Sequence, residues 1–244
     1  MKRKLSDIPN RKNLTNEQLS QIKSQLEAHL HSNFVTNISI GNLTLREFMI
    51  CADVFRADIM SSSLHLANFL AENKSLFENK SALDMGCGTG IQGAVMALCG
   101  ANSVVLSDVS PIAVKNARAN MRILKLKNIT EVVEGDLFRN LNVKFDVIVF
   151  NHPFFGDNPI DGFPVSATMM DSGPLLIDFL NEAKVFLNKD GIIIMPFFHF
   201  AGTTNDPGLH AERNGYEIVE KHTSTLEIGM QKGDFSIFIM KREG

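Results

Sequence analysis

Short apolar runs alternate with amphipathic stretches from about residue 81 onward. Each run has the length of a strand, and each intervening stretch has the spacing of a helix with one apolar face. The predicted strands are Ser81–Met85, Ser103–Ser107, Ile129–Glu134, Phe145–Phe150 and Gly191–Phe197, and the predicted helices are Ile91–Cys99, Pro111–Leu124 and Leu175–Leu187. Strands that alternate with helices form parallel sheets, so we expect a three-layer α/β domain.

The end of the chain follows a different pattern. A helix-like stretch over Pro207–Asn214 precedes two strand candidates, Tyr216–Thr223 and Phe235–Lys241. The segment 229–234 between the two strands carries two glycines and reads as a turn. These strands are therefore predicted to form an antiparallel hairpin at the edge of the sheet.

The first 75 residues are predicted to be mostly helical. Thr15 with Gln18 three positions later is a capping pattern, and the apolar residues after it recur at helical spacing to about His31. Further helices are predicted over Leu45–Phe55 and Ser62–Asn73. The chain thus divides into a helical N-terminal segment, residues 1–75, and an α/β domain, residues 76–244.

The extreme N-terminus is basic. Its first twelve residues contain one acid, Asp7, and five cations: Lys2, Arg3, Lys4, Arg11 and Lys12. Such a charge run is usually solvated, so it predicts a mobile arm and not a grip on nucleic acid.

Composition narrows the functional classes. The 244 residues are 44% hydrophobic and carry a formal net charge of −3, which excludes a disordered chain and a global basic field. The three cysteines lack metal-ligand spacing and cannot all pair internally: they are Cys51, Cys87 and Cys99. No apolar run reaches the roughly 18 residues of a membrane span, and no apolar core follows the basic start. We expect a soluble cytoplasmic protein with no metal site.

The most informative stretch follows the first strand of the α/β domain. Asp84 precedes Gly86, Cys87 and Gly88 in a glycine-rich loop that opens a helix. Glycine lets the backbone turn sharply and approach a ligand closely. Such a loop also serves dinucleotides, but Asp84 would repel a pyrophosphate and suits a cationic ligand with an α-amino group. A nicotinamide dehydrogenase is therefore disfavoured.

Two further acids end successive strands. Asp108 lies twenty positions beyond Gly88 at the end of the second strand, where a carboxylate can accept two ribose hydroxyls. Asp136 follows the third strand and can accept a hydrogen bond from an exocyclic amine, with Leu137 and Ile112 on either face of a flat ring. Open α/β sheets bind ligands at this edge, so the three acids predict one ligand crevice.

With these motifs in register, the chain from about Ser81 to Lys241 resembles the class I S-adenosylmethionine-dependent methyltransferases. The resemblance implies a sheet of order 3-2-1-4-5-7-6 with an antiparallel seventh strand. It also implies S-adenosylmethionine as cofactor: Asp84, Gly86 and Gly88 on its methionine part, Asp108 on its ribose and Asp136 on its adenine. The predicted cofactor-binding set is Asp84, Gly86, Cys87, Gly88, Asp108, Val109, Asp136, Leu137 and Asn151.

The fourth strand ends in Asn151-His152-Pro153-Phe154, here called the acceptor motif. It resembles the (Asn/Asp)-Pro-Pro-(Tyr/Phe) motif of methyltransferases that act on planar nitrogen, such as glutamine amides and nucleobase amines. The nitrogen lone pair in such groups is delocalised, and hydrogen bonds from its N–H groups to Asn151 and the carbonyl of His152 would free it. Phe154 would stack on the flat target.

His152 stands where the family motif has proline, so the geometry of the motif is open. His152 is either a general base that deprotonates a small-molecule acceptor, or a residue that only shapes the loop. The predicted catalytic set is Asn151, His152, Pro153 and Phe154.

Several residues are expected to complete the site. The long loop after the acceptor motif predicts a cover for the pocket lined by Phe155 and Phe163, with His199 at the same edge of the sheet. Arg56 or the hydroxyls of 61–63 are candidates for the cofactor carboxylate, or else an ordinary helix start.

The sequence thus predicts a methyltransferase that modifies a planar nitrogen of a protein or an RNA, with the acidic pI of about 6.2 weakly against RNA. A small-molecule methyltransferase with His152 as base is the catalytic alternative. A cofactor-binding module without turnover is the alternative outside catalysis. The sequence does not indicate the oligomeric state.

Overall fold

The computed structural model describes residues 4–228 and 231–243. Its helices are α1 (Asn16–Ala28), α2 (Ser61–Glu72), α3 (Ile91–Leu98), α4 (Pro111–Ile123), α5 (Pro174–Phe186) and α6 (Pro207–His210). Its strands are β1 (Phe34–Ile40), β2 (Leu43–Ile50), β3 (Ser81–Met85), β4 (Ser103–Asp108), β5 (Thr130–Glu134), β6 (Phe145–Phe150), β7 (Leu187–Phe198), β8 (Tyr216–Ile228) and β9 (Gln231–Arg242).

The centre of the molecule is a seven-stranded sheet of order β5-β4-β3-β6-β7-β9-β8. The first five strands in that order run parallel, while β9 is antiparallel to both β7 and β8. Counted from β3, this order is 3-2-1-4-5-7-6, so the predicted topology and the antiparallel terminal hairpin are confirmed. The strand order reverses between β3 and β6, and a ligand crevice forms beyond the carboxyl ends of strands at such a point.

Two apolar clusters cover the two faces of the sheet. One packs α2, α3 and the β1–β2 hairpin against the sheet, with Leu66, Val95 and Phe48 fully buried. The other packs α1 and α5 against the opposite face, with Ile22 and Phe179 fully buried. The three-layer α/β architecture predicted from the alternating pattern is confirmed.

The N-terminal segment departs from the prediction. Residues Leu45–Phe55 do not form a helix: β2 occupies most of that stretch and pairs with β1 as an antiparallel hairpin. Gly41 takes a left-handed φ of 52° at the turn, and apolar side chains alternate on either side of it, which is a strand signal. The division of the chain at residue 75 stays a prediction, but the first part is not mostly helical.

Element boundaries differ in smaller ways. Helix α1 begins with the predicted reciprocal cap between Thr15 and Gln18 but ends at Ala28, before His31. Strand β7 starts at Leu187, before the predicted start at Gly191. The predicted helix over Pro207–Asn214 is divided into α6 and a 3₁₀ turn at residues 212–214. Residues 231–234, predicted as turn, belong to β9, while the remaining turn residues, Gly229 and Met230, lie outside the described residues.

The basic arm is not simply solvated where the structure describes it; Lys2 and Arg3 lie outside the described residues. Ile8 is buried, and the Arg11 guanidinium makes two parallel hydrogen bonds to Asp157, at 3.1 Å from Nε and 3.0 Å from Nη2. Arg11 also donates to the carbonyl oxygen of Asn158. The arm is thereby tied to the loop that follows the acceptor motif.

Replacing Arg11 with alanine should lower the free energy of unfolding by about 1–3 kcal/mol, because Asp157 is left buried without its partner. Urea unfolding measures this change. Lys12→Ala is the matched control, since Lys12 is an exposed neighbour in the same arm. Equal stability of the Arg11→Ala and Lys12→Ala proteins would contradict a structural role for the ion pair.

Candidate active site

A cavity of about 380 Å³ opens at the carboxyl ends of β3, β4 and β6. Every member of the predicted cofactor-binding and catalytic sets lines it: Asp84, Gly86, Cys87, Gly88, Asp108, Val109, Asp136, Leu137, Asn151, His152, Pro153 and Phe154. The topology thus brings three separate sequence motifs to one crevice. The roles assigned to the individual residues remain predictions.

The glycine-rich loop is held as a tight turn. The Cys87 amide donates to the Ser107 carbonyl at 3.0 Å, and the Gly90 amide donates to the Cys87 carbonyl at 2.7 Å. Gly86 has a φ of 60°, and a Cβ there would lie 3.1 Å from the Phe150 ring. A side chain at that position would be strained and crowded, so the close approach of loop and β6 requires glycine.

Asp84 is buried beneath this loop. Its Oδ2 accepts a hydrogen bond from the Gly93 amide at 2.8 Å, near the start of α3. Burial raises the pKa of Asp84 to about 7, and the nearby Asp108 carboxylate adds to the rise. A cationic group placed beside Asp84 would favour its ionised form.

Asp108 is fixed from two sides. Its Oδ2 accepts from the Gly88 amide at 2.9 Å, and its Oδ1 accepts from the Ser110 amide at 2.8 Å. Burial raises the pKa of Asp108, while these backbone hydrogen bonds oppose the rise. Each oxygen keeps a second lone pair, so the carboxylate is pre-organised to accept two further hydroxyl donors.

The adenine side of the predicted site contains exposed apolar side chains. Val109 and Ile112 line the cavity although they are 65% and 45% exposed. Leu137 takes an unusual φ of 47° beside Asp136. The Gly135 amide donates to the Asp108 carbonyl at 3.0 Å, which joins the loops after β4 and β5. A flat apolar ring would cover this exposed surface.

Four buried polar atoms of cavity-lining residues have no hydrogen-bond partner among the described residues: Gln25 Oε1, Thr89 Oγ1, Gln92 Oε1 and His152 Nδ1. Thr89 follows the glycine-rich loop and Gln92 lies in the first turn of α3, where the Gln92 amide nitrogen donates to the Ser63 carbonyl at 3.0 Å. Buried acceptors are normally satisfied, so Thr89 Oγ1 and Gln92 Oε1 indicate a missing donor near Asp84. An α-ammonium group beside Asp84 is such a donor, and the residues therefore fit S-adenosylmethionine.

Asn151 is oriented by the start of α2. Its Nδ2 donates to Ser63 Oγ at 3.1 Å, which leaves Oδ1 as the side-chain atom that can accept from a ligand. Ser62 and Ser63 both line the cavity. Arg56, the other candidate for the cofactor carboxylate, does not line it: the guanidinium is paired with Asp58 at 2.7 Å.

His152 is 3% exposed, and its Nε2 donates to the Asn205 carbonyl at 2.7 Å. Burial lowers the pKa of His152 to about 4. The ring is therefore neutral at pH 7 and a weak base, with Nδ1 as its free nitrogen within the described part of the chain. The low basicity and the burial of the ring disfavour the interpretation of His152 as a general base.

Phe154 is half-buried within a group of aromatic rings. Its ring meets Phe197 edge-on at 5.6 Å between centroids, and Phe235 at 6.3 Å. Of the other predicted residues, Phe155 lines the cavity, while Phe163 is buried elsewhere and does not. His199 also points away, because its Nε2 lies 2.8 Å from Ser236 Oγ.

Several cavity residues carry no signal in the sequence. Gln25 reaches the wall from α1, Phe55 from the segment between β2 and α2, Met169 from the loop after the acceptor motif, and Ile228 from the end of β8. Gln25 Oε1 is buried without a partner among the described residues. No local pattern marks these positions, because only tertiary packing brings four separate segments to the crevice.

The fold and the crevice are those of a Rossmann-like methyltransferase domain. A family model described as the methyltransferase small domain matches residues 47–224, and the chain belongs to that family, whose methyl donor is S-adenosylmethionine. In the part of the chain that the structure describes, none of the helices has the length and apolar character of a membrane span.

Curated relatives share part of the chain. A Methanocaldococcus jannaschii protein with the provisional name protein N5-glutamine methyltransferase is 36% identical over 130 residues, which are 51% of this chain and 64% of the relative. A ribosomal RNA small subunit methyltransferase C of Pseudoalteromonas translucida is 33% identical over 158 residues, which are 63% of this chain and 41% of the relative. The chain thus covers less than two thirds of the length of either relative.

One solved structure illustrates the shared fold. The 16S rRNA N2 G1207 methyltransferase of T. thermophilus, in complex with AdoMet and guanosine, has a TM-score of 0.62 and 18% identity. The match covers 88% of this chain and 51% of that one. At this level of identity the likeness concerns the fold.

Proposed function

We propose that this protein transfers the methyl group of S-adenosylmethionine to a planar nitrogen, a glutamine amide or a nucleobase amine, in a protein or an RNA. The observation that carries the proposal is the common cavity: the amide of Asn151 and the three aspartates of the cofactor set line the same crevice. Donor and acceptor would therefore meet directly above the tips of β3 and β6.

The proposed cofactor residues follow from the contacts above. Asp84, Thr89 and Gln92 would hold the α-ammonium group, and Asp108 would accept the ribose hydroxyls. Asp136 would accept from the adenine amine, with the ring between Ile112 and Leu137. The cofactor supplies an electrophilic methyl group on a sulfonium, and orientation of that methyl toward the nitrogen contributes much of the rate.

On the acceptor side, Asn151 Oδ1 and the His152 carbonyl would each accept an N–H of the target. These bonds draw the nitrogen toward tetrahedral geometry and make its lone pair available for attack. Phe154 would hold the plane of the target by stacking. As the new N–C bond forms, the S–CH₃ bond would break and its electron pair would stay on sulfur, which becomes a neutral thioether. The nitrogen would be cationic at that point, and loss of one proton to solvent would return it to neutrality.

The charges on the cavity wall fit this assignment. Four carboxylates line it, from Asp53, Asp84, Asp108 and Asp136, and no lysine or arginine does so among the described residues. Such a wall attracts a sulfonium with an ammonium group. It also favours an uncharged acceptor group, such as an amide or an aryl amine, over an anionic one.

The names of the relatives support protein and RNA as substrate classes, because they include a glutamine methyltransferase and a ribosomal RNA methyltransferase. We further propose a cytoplasmic location. All three cysteines are free thiols, which suits a reducing compartment.

Transfer of label from tritiated S-adenosylmethionine into fractionated cell extract tests the proposal. We expect label in protein or RNA, in a bond stable to mild base as a methylated nitrogen is. Label confined to small metabolites would favour the small-molecule alternative. Saturable cofactor binding with no labelled product in any fraction would favour a binding module without turnover.

A further inference from the structure

A short loop after β7 packs beneath the acceptor motif, and Asn205 is its most buried residue, at 1% exposure. The Asn205 carbonyl accepts from His152 Nε2 at 2.7 Å. Its side-chain Nδ2 donates to the Asp171 carbonyl at 2.8 Å and, at 3.4 Å, to the Phe155 carbonyl. One residue therefore contacts the acceptor motif and both ends of the loop that follows it.

That loop, residues 155–173, is called here the acceptor loop. Its two ends are also joined to each other: the Phe155 amide donates to the Met169 carbonyl at 2.9 Å, and the Asp171 amide donates to the Phe155 carbonyl at 3.0 Å. The acceptor loop packs closely against the loop that carries Asn205, because a Cβ added at Gly156 would lie only 2.4 Å from the Thr204 side chain.

We propose that His152 and Asn205 are positioning residues that hold the acceptor motif and the acceptor loop in their working geometry. The inference rests on the proposed function, because that function is what makes Asn151–Phe154 the site of the methyl acceptor. The contacts of His152 and Asn205 are the same whether or not that function is correct. A proline at position 152 would stiffen the motif through its ring; here a buried hydrogen bond between two loops takes that role.

The aromatic rings packed around the His152 imidazole support its role as a positioning residue. The ring lies nearly parallel to Phe197, at 15° and 6.1 Å between centroids, and edge-on to Phe154 at 5.4 Å. A ring displaced from this place would release Phe154, the proposed platform for the target. Misplacement of a reacting group by about 1 Å can cost a hundredfold in rate.

Four variants test the clamp, a name used here for the hydrogen bond between His152 and Asn205 together with the hydrogen bonds from Asn205 to the acceptor loop. His152→Phe keeps the ring volume without the donor, and His152→Gln keeps an N–H donor at a similar reach. Asn205→Ala removes the side-chain donor to the acceptor loop. Thr203→Ala, at an exposed position of the same loop, is the matched control. Each is measured for amide hydrogen exchange at Phe155 and Asp171, for S-adenosylmethionine affinity and for turnover in the label-transfer assay.

We expect His152→Phe and Asn205→Ala to exchange both amides about tenfold faster and to lose turnover by about tenfold or more, with cofactor affinity kept. His152→Gln should retain more turnover than His152→Phe, because it restores the donor. Thr203→Ala should match the wild type in exchange and turnover.

Unchanged exchange at both amides in His152→Phe and Asn205→Ala would overturn the clamp. So would a His152→Gln protein with normal exchange and no turnover, because the histidine would then act in the chemistry itself. Absence of transfer by the wild-type protein would count against the proposed function alone, and the exchange rates would still decide the clamp.

Discussion

Replacing Asn151 with alanine should reduce the rate of methyl transfer by about a hundredfold to a thousandfold, the usual cost of one lost transition-state hydrogen bond. The binding of S-adenosylmethionine should change little, although Asn151 belongs to the predicted cofactor-binding set. The reason is that the amide of Asn151 engages the nitrogen mainly as it becomes tetrahedral, and Nδ2 is already occupied by Ser63. Single-turnover label transfer at saturating cofactor measures the effect.

Two further substitutions sharpen this test. Asn151→Asp keeps an acceptor oxygen and should retain more activity than Asn151→Ala. Asn158→Ala, at an exposed position in the adjoining loop, should have wild-type activity. Full activity in Asn151→Ala would remove Asn151 from the chemistry and with it the proposed selection of planar nitrogen.

Asp84→Asn is the second change with a large expected effect, and its two consequences have opposite signs. Cofactor affinity should fall by roughly tenfold to a hundredfold, because a charge-assisted hydrogen bond to the ammonium group is lost. The free protein should become more stable at pH 8, since an ionised carboxylate no longer has to be buried.

The pH dependence follows from the raised pKa of about 7. Below about pH 4 Asp84 is protonated in both the folded and the unfolded chain and contributes nothing. Between about pH 4 and pH 7 the folded protein binds the extra proton, so this group lowers stability progressively as pH rises, by a few kcal/mol in total. Above pH 7 the loss is complete and constant.

Cofactor affinity should show the reverse trend. Ionisation of Asp84 favours the ammonium group, so the wild-type affinity should rise from pH 6 to pH 8, and that of Asp84→Asn should not. Calorimetric titration and urea unfolding across this range check both effects. Asp190→Asn removes an exposed acid and should leave both profiles unchanged. Identical pH profiles for wild type and Asp84→Asn would refute the role of Asp84.

The sheet was predictable because each of its predicted strands is a short apolar run that polar or turn-forming residues bound. Ser81–Met85 and Phe145–Phe150 match the predicted strands residue for residue, and the glycines after β3 mark the start of α3. The β1–β2 hairpin was missed because apolar residues in Leu45–Phe55 also fit helical spacing. The alternation next to Gly41 was the better guide, since Ile38 and Ile40 before the turn and Leu43 and Leu45 after it are spaced by two.

The sequence motifs predicted where the crevice lies, but they did not predict the long-range contacts that hold the surrounding loops in place. Asp84, Asp108 and Asn151 stand at strand ends where topology alone brings them together. Asn205 lies 53 residues from His152, and their bond depends on how two loops pack. The same holds for Arg11 and Asp157, 146 residues apart. Such pairings carry no local signal in one sequence, so the expectation of a solvated arm was the reasonable one.

The crevice is expected to bind S-adenosylmethionine through carboxylates at neighbouring strand ends. Calorimetric titration of the cofactor into the purified protein measures this binding, with Asp108→Ala titrated in parallel. We expect saturable binding of one molecule per chain, lost in Asp108→Ala while that protein stays folded by circular dichroism. A folded wild-type protein that gives no saturable heat, or an Asp108→Ala protein that binds as tightly as the wild type, would contradict the account.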